Sequence, residues 1–349
     1  MNAKMNYFPS SLDLPSRGIW NKANKVQSEN LLRLSATLPT IIRAGLADST
    51  NEKYESGWKK WCAWCKENPE LLHRPAEPFF VSLYLNHLLQ TKKKVGAINN
   101  AFYGIRWGHH IVGLNSPTDN PFVMLAKEGC IRLCEHDKNK KVPLNANDIK
   151  LLVNSYLGNN YDLLKARTIV TCLLGFTGFF RISELISVQL KHLKFYPDHL
   201  SIYLSKSKCD QHREGHNVLI ARLDSQYCPV AFVENFLAKC KFDVLNDKDS
   251  YLIPRLAKTD DGHKVFKDKG ISYSAIHKAF KNAISNIVDD KSNYGLHSLR
   301  SGGASAAANN NISDRKISKQ GRWKSEKSRN TYIQDSLEDR LSVSKKLGL

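Results

Sequence analysis

The sequence predicts a mainly α-helical protein of two domains with one small antiparallel β-sheet. Apolar residues recur at helical spacing over most of the 349 residues, a pattern typical of amphipathic helices. Only residues 199–204 and 216–223 alternate like strands, and the polar loop between them predicts a hairpin with a long tip. A charged stretch closed by a proline, residues 136–144, predicts a linker between the two domains.

The first domain is predicted to be a helical bundle preceded by an arm. Residues 1–29 are polar and show no periodicity, so we expect a flexible arm. Ser49 and Thr50 are candidate caps of the second helix. The bundle, residues 30–135, is predicted to contain helices over about residues 30–42, 49–65, 79–89, 99–112 and 121–134.

The second domain, residues 145–349, is predicted to be mostly helical around the hairpin. Asn145 or Asn147 is expected to cap its first helix. Leu337, Leu341 and Leu347 recur at rough helical spacing, so we expect the C-terminal tail to pack on its own domain or on a neighbouring copy. Further helices are predicted over residues 163–178, 181–190, 229–240, 272–288, 296–309, 313–320 and 325–334.

The charge of the chain predicts a polyanionic partner. The net charge is +19; residues 1–140 carry 19 basic and 12 acidic side chains, and the remaining residues carry 33 and 21, so both halves are basic. Lys and Arg gain affinity for nucleic acid by displacing counterions from phosphates. No stretch approaches the roughly 20 apolar residues of a membrane-spanning helix, and the N-terminal residues lack the apolar core of a signal peptide. We therefore expect a soluble, non-secreted protein with no membrane partner.

Eight cysteines raise the question of a metal site. Cys62 and Cys65 have a metal-like spacing, and Cys130 and Cys134 offer two more thiols. The first pair, however, lies inside a strongly helical pattern among tryptophans, whereas structural zinc sites usually take close cysteine pairs from turns. Free thiols in a reducing compartment are expected rather than disulfides. We interpret these cysteines as small buried hydrophobes and predict no metal and no cofactor.

Two short strings place arginines beside groups that suit an anion. In residues 177–185, Arg181 directly follows an apolar helix and a glycine, where an arginine is usually paired or bound to an anion. Glu184 would orient it, and a purely structural Arg–Glu pair is the open alternative. In the second string, His297 and Arg300 share one helix face at i, i+3. Such a pair suits a phosphate, with a solvated polar face as the alternative.

The third string contains Gly321, Arg322 and Trp323, and Tyr332 follows Trp323 by nine residues. By itself it indicates little, because a lone Trp or Tyr is far more often part of a core. The three strings in this order resemble the tyrosine recombinase family, also called the phage integrase family, through TGxRxSEL, HxLR, a Gly-x-(His or Trp) element and Tyr. The resemblance covers residues 177–333. The sequence departs from the pattern at Trp323, where many members have His, and at Arg322, which is one residue more than the common Gly-His.

The resemblance implies a fold and a chemistry. The bundle resembles, more loosely, the family's core-binding, SAM-like domain, and residues 145–349 resemble its catalytic domain. The implied function is that of a site-specific DNA recombinase or integrase, which cuts and rejoins strands through a 3′-phosphotyrosyl intermediate without metal or ATP. The implied partner is double-stranded DNA, bound by a homotetramer on two paired sites. The implied compartment is the nucleus in a eukaryote and the cytoplasm in a prokaryote.

The resemblance also assigns the catalytic roles. The two arginines would hold the phosphate oxygens while Tyr332 attacks the phosphorus. The histidine would accept or share the tyrosine proton or orient the phosphate, and the tryptophan would donate a hydrogen bond to a phosphate oxygen. A hairpin lysine would protonate the departing 5′-oxygen; Lys208 fits the family's Ser-Lys-Thr pattern better than Lys206, although Cys209 replaces the Thr. The implied catalytic set is Arg181, Lys208, His297, Arg300, Trp323 and Tyr332, and Glu184 would hold the site together.

DNA contacts and competing functions complete the expectations. The predicted contacts are Lys92, Lys93, Lys94, Lys206 and Arg322. For the lysine triplet, a solvated run of charge is the alternative. A type IB topoisomerase would use much the same residues to relax DNA without pairing two sites, and a domesticated mobile-element protein would bind DNA without catalysis. The separate helical first domain favours a recombinase, and the presence of all the expected residues favours an enzyme.

Overall fold

A computed structural model of the chain describes residues 18–135, 141–158, 161–205, 215–243, 245–260 and 262–348. These residues are mostly helical and include two small antiparallel sheets, so the predicted fold class is confirmed. The chain divides into two compact units between residues 138 and 139. In the described part of the chain, no helix is both long enough and apolar enough to cross a bilayer.

The first unit is a helical bundle built around two tryptophans. Its α-helices are α1 Glu29–Ala44, α2 Asp48–Glu67, α3 Pro78–Gln90, α4 Val95–His110 and α5 Pro121–Leu133. Trp58 and Trp61 on α2 are fully buried. Gly108 lets α4 approach α2 closely, since a Cβ at this position would lie 2.1 Å from the Trp58 ring. The bundle therefore depends on small residues facing large aromatic ones.

Part of the predicted arm is folded. Residues 18–25 form a 3-10 helix, in which the buried Trp20 donates a hydrogen bond from Nε1 to the Ile111 carbonyl at 2.7 Å. Gly18 has φ +64, and a Cβ there would lie 2.1 Å from the Val112 carbonyl oxygen. The expectation of a flexible arm is therefore wrong for these residues. A single anchoring aromatic residue has no periodicity by which a sequence pattern would reveal it.

Two helices of the bundle begin earlier than their patterns predict. Helix α2 begins at Asp48, after Ala47, so neither Ser49 nor Thr50 caps it. Helix α4 begins at Val95, because its first turn contributes the buried Ile98 to the core. The predicted lysine turn does lie between α3 and α4, where residues 92–94 are exposed.

The second unit has helices packed around one buried helix and a small sheet. Its α-helices are α6 Ala146–Tyr156, α7 Leu163–Thr177, α8 Ile182–Leu185, α9 Pro229–Lys239, α10 Tyr273–Ala283, α11 His297–Asn309, α12 Asp314–Gly321, α13 Glu326–Asn330 and α14 Leu337–Lys345. Every residue of α7 from Ala166 to Gly175 is buried. Asn145 caps α6 reciprocally with Asp148, which decides between the two predicted caps.

The second unit contains more β-strands than were predicted. One is three-stranded, in the order β1-β2-β3, and the other is two-stranded, β4-β5, all antiparallel. The strands are β1 Leu193–Phe195, β2 His199–Leu204, β3 His216–Ala221, β4 Pro254–Thr259 and β5 Gly262–Gly270. The predicted hairpin is β2-β3, whose buried pairs include Leu200 with Ile220. The other three strands are too short or too polar to alternate cleanly, so the expectation of one sheet from two strands was wrong.

Two predicted boundaries in the second unit are also wrong. The helix predicted over residues 181–190 is the single turn α8, because the Leu190 amide donates to the Ser250 carbonyl at 2.9 Å and so leaves the helix. Residues 141–144 of the predicted linker belong to the second unit: the Val142 amide donates to the Asn293 carbonyl at 2.8 Å. Both corrections arise from hydrogen bonds to residues distant in sequence.

Candidate active site

A tight turn between α7 and α8 presents Arg181. Gly178 follows α7, and Phe179 adopts φ 47, a left-handed conformation that is uncommon outside glycine. Arg181 then precedes α8, and its backbone N–H donates to Glu184 Oε2 at 3.0 Å. The Arg181 Nη1 donates to Glu184 Oε1 at 2.7 Å. The structure therefore shows the Arg–Glu pair that the first string indicated.

Helix α11 brings the second string close to this turn. A Cβ at Gly302 would lie 2.0 Å from the Leu144 carbonyl oxygen, and one at Gly303 would lie 2.0 Å from the Phe176 carbonyl oxygen. Gly303 therefore allows α11 to lie against the end of α7, and Gly302 allows it to lie against the segment before α6. At the start of this helix His297 is exposed, whereas Arg300 is completely buried.

Arg300 is enclosed rather than open to a ligand. Its guanidinium donates to the carbonyls of Phe179 and Gly321, the latter at 2.6 Å. It also lies 4.5 Å from the centre of the Trp323 ring and 4.9 Å from that of Tyr332, so it forms cation–π contacts with both. Burial and the neighbouring arginines lower the pKa of Arg300 to about 10, which leaves it charged at neutral pH. The expected direct grip on a phosphate is not the arrangement seen.

Arg322 is not a surface DNA contact. It has φ 57 at the end of α12, and its side chain is 4% exposed. Its guanidinium donates to Glu184 Oε2 at 2.8 Å and to the carbonyls of Gly178, Phe179 and Gln320 at 3.2, 3.0 and 2.9 Å. The prediction of a DNA contact was wrong, because the Glu184 carboxylate, two carbonyls of the Arg181 turn and the Gln320 carbonyl bind this cation inside the protein.

Glu184 connects the first and third strings. Burial alone would raise the pKa of this carboxyl, but the charge of Arg322 and the hydrogen bonds from Arg181 outweigh burial and lower it. The side chain is 5% exposed and accepts hydrogen bonds from both arginines. It is therefore a buried carboxylate that stays ionised and holds two loops together.

Trp323 and Tyr332 pack against each other beside Arg300. Their ring centres are 5.2 Å apart, and Trp323 also contacts Phe179 at 6.1 Å. Tyr332 is half-buried in the turn after α13, and its ring centre lies 6.4 Å from that of His297. Among the described atoms, the buried Nε1 of Trp323 has no hydrogen-bond partner. An unpaired buried N–H is costly unless a ligand accepts from it.

One cavity is lined by four of the six predicted catalytic residues. It has a volume of about 580 Å³, in the range of ligand sites, and Arg181, His297, Trp323 and Tyr332 line it. Tyr273, which begins α10, lines it too and was missed, because nothing in its local sequence distinguishes it from a surface aromatic residue.

Other predicted residues lie elsewhere. Lys206 and Lys208 are outside the described residues. The exposed lysines Lys92, Lys93 and Lys94 lie in the first unit, between α3 and α4. Of the four bundle cysteines that were interpreted as small buried hydrophobes, Cys62 is half-buried. The other three, Cys65, Cys130 and Cys134, are buried.

Burial keeps the Cys62 and Cys65 thiols protonated. Burial raises the pKa of Cys62 to about 11 and that of Cys65 to about 12, so both stay protonated at neutral pH, whereas a metal binds the thiolate. Within the part of the chain that the structure describes, no group of three or more His, Cys, Asp and Glu side chains is placed to hold a metal ion.

The chain is similar in sequence and fold to known recombinases and integrases. An integrase/recombinase XerD homolog of Selenomonas ruminantium is 25% identical over 315 residues, which are 88% of this chain and 87% of the relative. The XerH site-specific recombinase, solved in a post-cleavage complex with palindromic difH substrate, aligns with a TM-score of 0.53 and 12% identity over 94% of this chain and 86% of its own.

A lambda integrase dimer bound to a COC′ core site aligns with a TM-score of 0.52 and 15% identity over 84% of this chain and 91% of its own. At these identities the structural likeness shows the fold. The sequence model of the phage integrase family matches residues 138–338, more than half of the chain. This match includes every cavity-lining residue described above. The chain therefore belongs to the phage integrase family.

Proposed function

We propose that the chain is a site-specific DNA recombinase that cuts and rejoins strands with Tyr332 as the nucleophile. The observation that carries the proposal is the gathering of Arg181, His297, Trp323 and Tyr332 around one cavity. A cation, a titratable base, an unpaired N–H donor and a phenol are the groups that attack on a phosphodiester requires.

The protein's own cations would stabilise the phosphate. Arg181 lines the cavity and would donate to a non-bridging oxygen, and the unpaired Nε1 of Trp323 would donate to another. Arg300 lies 4.9 Å from the centre of the Tyr332 ring. From this enclosed position it would stabilise the negative charge that develops on the phenol oxygen and the phosphate. In this proposal the side chains supply the charge for which other phosphoryl-transfer enzymes use a metal ion.

The proposed reaction consists of two reciprocal transfers. The Tyr332 oxygen attacks the phosphorus while His297 accepts or shares the phenol proton. The bond from phosphorus to the 5′-oxygen breaks, and a lysine, Lys208 or Lys206, protonates that oxygen. A 5′-hydroxyl of a partner strand then attacks the 3′-phosphotyrosyl bond and releases the tyrosine. The bond energy is conserved in the intermediate, so the cycle requires no ATP.

The proposed partner is double-stranded DNA, held by both units. The first unit would act as the core-binding domain, with Lys92, Lys93 and Lys94 at the DNA backbone, since all three are exposed. The XerH and lambda integrase structures contain DNA, and the latter is a dimer. For this chain we propose a homotetramer on two paired sites. The enzyme would act where its DNA lies, in the nucleus of a eukaryote or the cytoplasm of a prokaryote.

Covalent capture of DNA tests the proposal. The probe is a pool of nicked duplex oligonucleotides with a randomised core, in which cleavage beside the nick releases a short fragment and traps the adduct. We expect wild-type protein to form a denaturant-resistant adduct and Tyr332→Phe to form none, with equal binding to the pool. Tyr227→Phe, a tyrosine of the same unit outside the cavity, is the control. Absence of an adduct with the wild type would overturn the proposal.

The enclosed position of Arg300 is the observation that favours the alternative of a DNA-binding protein without catalysis. The same capture experiment decides this question, because such a protein would bind the pool without forming an adduct. Sequencing of the captured DNA would then supply a substrate for strand exchange between two paired sites. Relaxation of supercoils without strand exchange would indicate the topoisomerase activity instead.

A further inference from the structure

Ser305 on α11 contacts the backbone immediately after the Tyr332 side chain. Its Oγ accepts a hydrogen bond from the Gln334 backbone N–H at 2.8 Å and donates to the Tyr332 carbonyl at 3.4 Å. Ser305 is 6% exposed. No role was predicted for this residue, and none of the proposed catalytic steps uses it.

The segment that contains Tyr332 has little regular structure of its own. Helix α13 ends at Asn330 and α14 begins at Leu337, and the structure describes every residue between them. Before the tyrosine, the buried Arg329 anchors the segment to α12 through Asp314 at 2.9 Å. After the tyrosine, Ser305 provides an anchor to α11. The Tyr332 N–H still donates to the Arg329 carbonyl at 2.9 Å, and beyond this bond side-chain contacts hold the backbone around the tyrosine in place.

The helix that carries Ser305 is the helix that carries His297 and Arg300. Residues 297, 301 and 305 are spaced by four along α11, so they follow one face. A serine inside a helix usually bonds to the carbonyl four residues before it, as Ser301 does to the His297 carbonyl at 3.0 Å. Ser305 bonds outside its own helix instead. Its hydroxyl therefore links the position of Tyr332 to the position of His297.

We propose that Ser305 is a positioning residue for the nucleophile: its hydroxyl fixes the position of the Tyr332 backbone relative to His297 and Arg300. The proposal rests on the assignment of Tyr332 as the nucleophile. A nucleophile must lie within a narrow range of distances and angles to attack, and a misplacement of about 1 Å lowers a rate by on the order of 100-fold. Loss of the hydroxyl should therefore slow DNA cleavage without weakening DNA binding.

Three substitutions separate the hydroxyl from the volume of the side chain. Ser305→Ala removes the hydroxyl, Ser305→Thr keeps it with an added methyl, and Ser305→Val has the size of threonine without the hydroxyl. The measurement is the single-turnover rate of adduct formation at saturating protein on the nicked randomised pool. We expect Ser305→Ala and Ser305→Val to be slower by about 10- to 100-fold, and Ser305→Thr to stay close to wild type.

Two further measurements exclude a general loss of structure. Affinity for the pool and the midpoint of thermal unfolding should be the same for Ser305→Val and Ser305→Thr. Thr171→Val is the matched control, since this buried hydroxyl bonds only within α7, to the Arg167 carbonyl at 2.8 Å, and we expect no change in the cleavage rate. Hydrogen exchange of the Gln334 amide should be faster in Ser305→Ala, because that amide loses its acceptor.

The outcomes are distinguishable from failure of the proposed function. If wild type forms no adduct, the assignment of Tyr332 itself fails. If wild type forms the adduct and Ser305→Ala and Ser305→Val do so at the same rate, the positioning role is overturned. Equal slowing of Ser305→Thr and Ser305→Val would also overturn it, because the hydroxyl would then not be the group that matters.

Discussion

The two units differ in what they bury at their centres. In the first unit the centre is aromatic, with Trp58 and Trp61 fully enclosed and the uncharged His109 beside them. In the second unit the centre of the candidate site is charged, because Arg300, Arg322 and Glu184 are all buried. Packing should therefore determine the stability at the centre of the first unit, and pairing of charges the stability at the candidate site of the second.

The largest expected effect comes from breaking the charge pairing of the second unit. Glu184→Gln leaves the buried Arg322 without its carboxylate partner. Removal of one partner of a buried pair costs about 3–5 kcal/mol, so we expect a fall of this size in the free energy of unfolding. Urea unfolding of the full chain, followed by circular dichroism, measures it.

An exposed ion pair in the same unit is the control for Glu184. Arg222 and Glu234 form a bidentate pair with oxygen–nitrogen distances of 2.9 and 2.6 Å, but their side chains are 33% and 42% exposed. Because water screens such pairs, Glu234→Gln should cost no more than about 1 kcal/mol. Equal effects of the two substitutions would contradict the claim that burial makes the Glu184 network critical.

Acid should weaken the first unit before the second. Burial, helped by nearby Arg74, lowers the pKa of His109 to about 4 despite its hydrogen bond to the Ile105 carbonyl. The unfolded chain, with a histidine pKa of about 6.5, binds the proton more tightly. Stability should therefore fall as the pH drops from 6.5 to 4, by about 3 kcal/mol in total. Urea unfolding followed by tryptophan fluorescence measures this.

Glu184 in the second unit should affect the stability over a lower pH range than His109 does. The folded pKa of Glu184 is lowered, so its contribution to stability is present above its ordinary pKa of 4.5 and is lost only as the pH falls further through the folded value. His109→Gln keeps an acceptor for the Ala76 amide, which donates to Nε2 at 3.0 Å, and should flatten the slope between pH 6.5 and 4. An unchanged slope in this variant would show that another group is responsible.

A smaller effect tests the packing of the first unit. Gly108→Ala places a Cβ 2.1 Å from the Trp58 ring, so the two helices must separate. Overpacking of this kind costs about 1–3 kcal/mol. Gly129→Ala in the same unit meets nothing within 4 Å, and should stabilise the helix by about 0.5–1 kcal/mol. Thermal unfolding of both variants compares them, and a shift in the same direction would argue against close packing at Gly108.

The smallest expected effect concerns the cap of α6. Asn145→Ala removes the acceptor of the Asp148 amide at 2.9 Å, and loss of such a cap costs about 1 kcal/mol. Asn147→Ala, inside the helix, should leave the stability nearly unchanged. Chemical unfolding of the two variants distinguishes them, and the reverse order would mean that Asn147 is the cap after all.

The periodicity of the sequence predicts most of the helices, because an amphipathic helix records its buried face in local spacing. The β4-β5 pair escaped prediction because its strands are too polar to alternate cleanly. The anchoring of Trp20 escaped because it depends on a distant partner, the Ile111 carbonyl. The single turn of α8 escaped for the same reason, because Leu190 leaves the helix to bond with Ser250. The spacing of apolar residues along the chain does not indicate such contacts.

The order of motifs in the sequence by itself determined the family and the candidate residues Arg181, His297, Trp323 and Tyr332. Only the tertiary structure decided which cations line the cavity and which are enclosed. Three arginines of the predicted site have different surroundings in the structure. Arg181 lines the cavity, Arg300 bonds to carbonyls, and Arg322 pairs with Glu184. The physical reason is that the partners of a guanidinium are set by the carboxylates and carbonyls that folding brings to it. For Arg300 and Arg322 these partners include groups of the Arg181 turn and α8, more than 100 residues away in sequence.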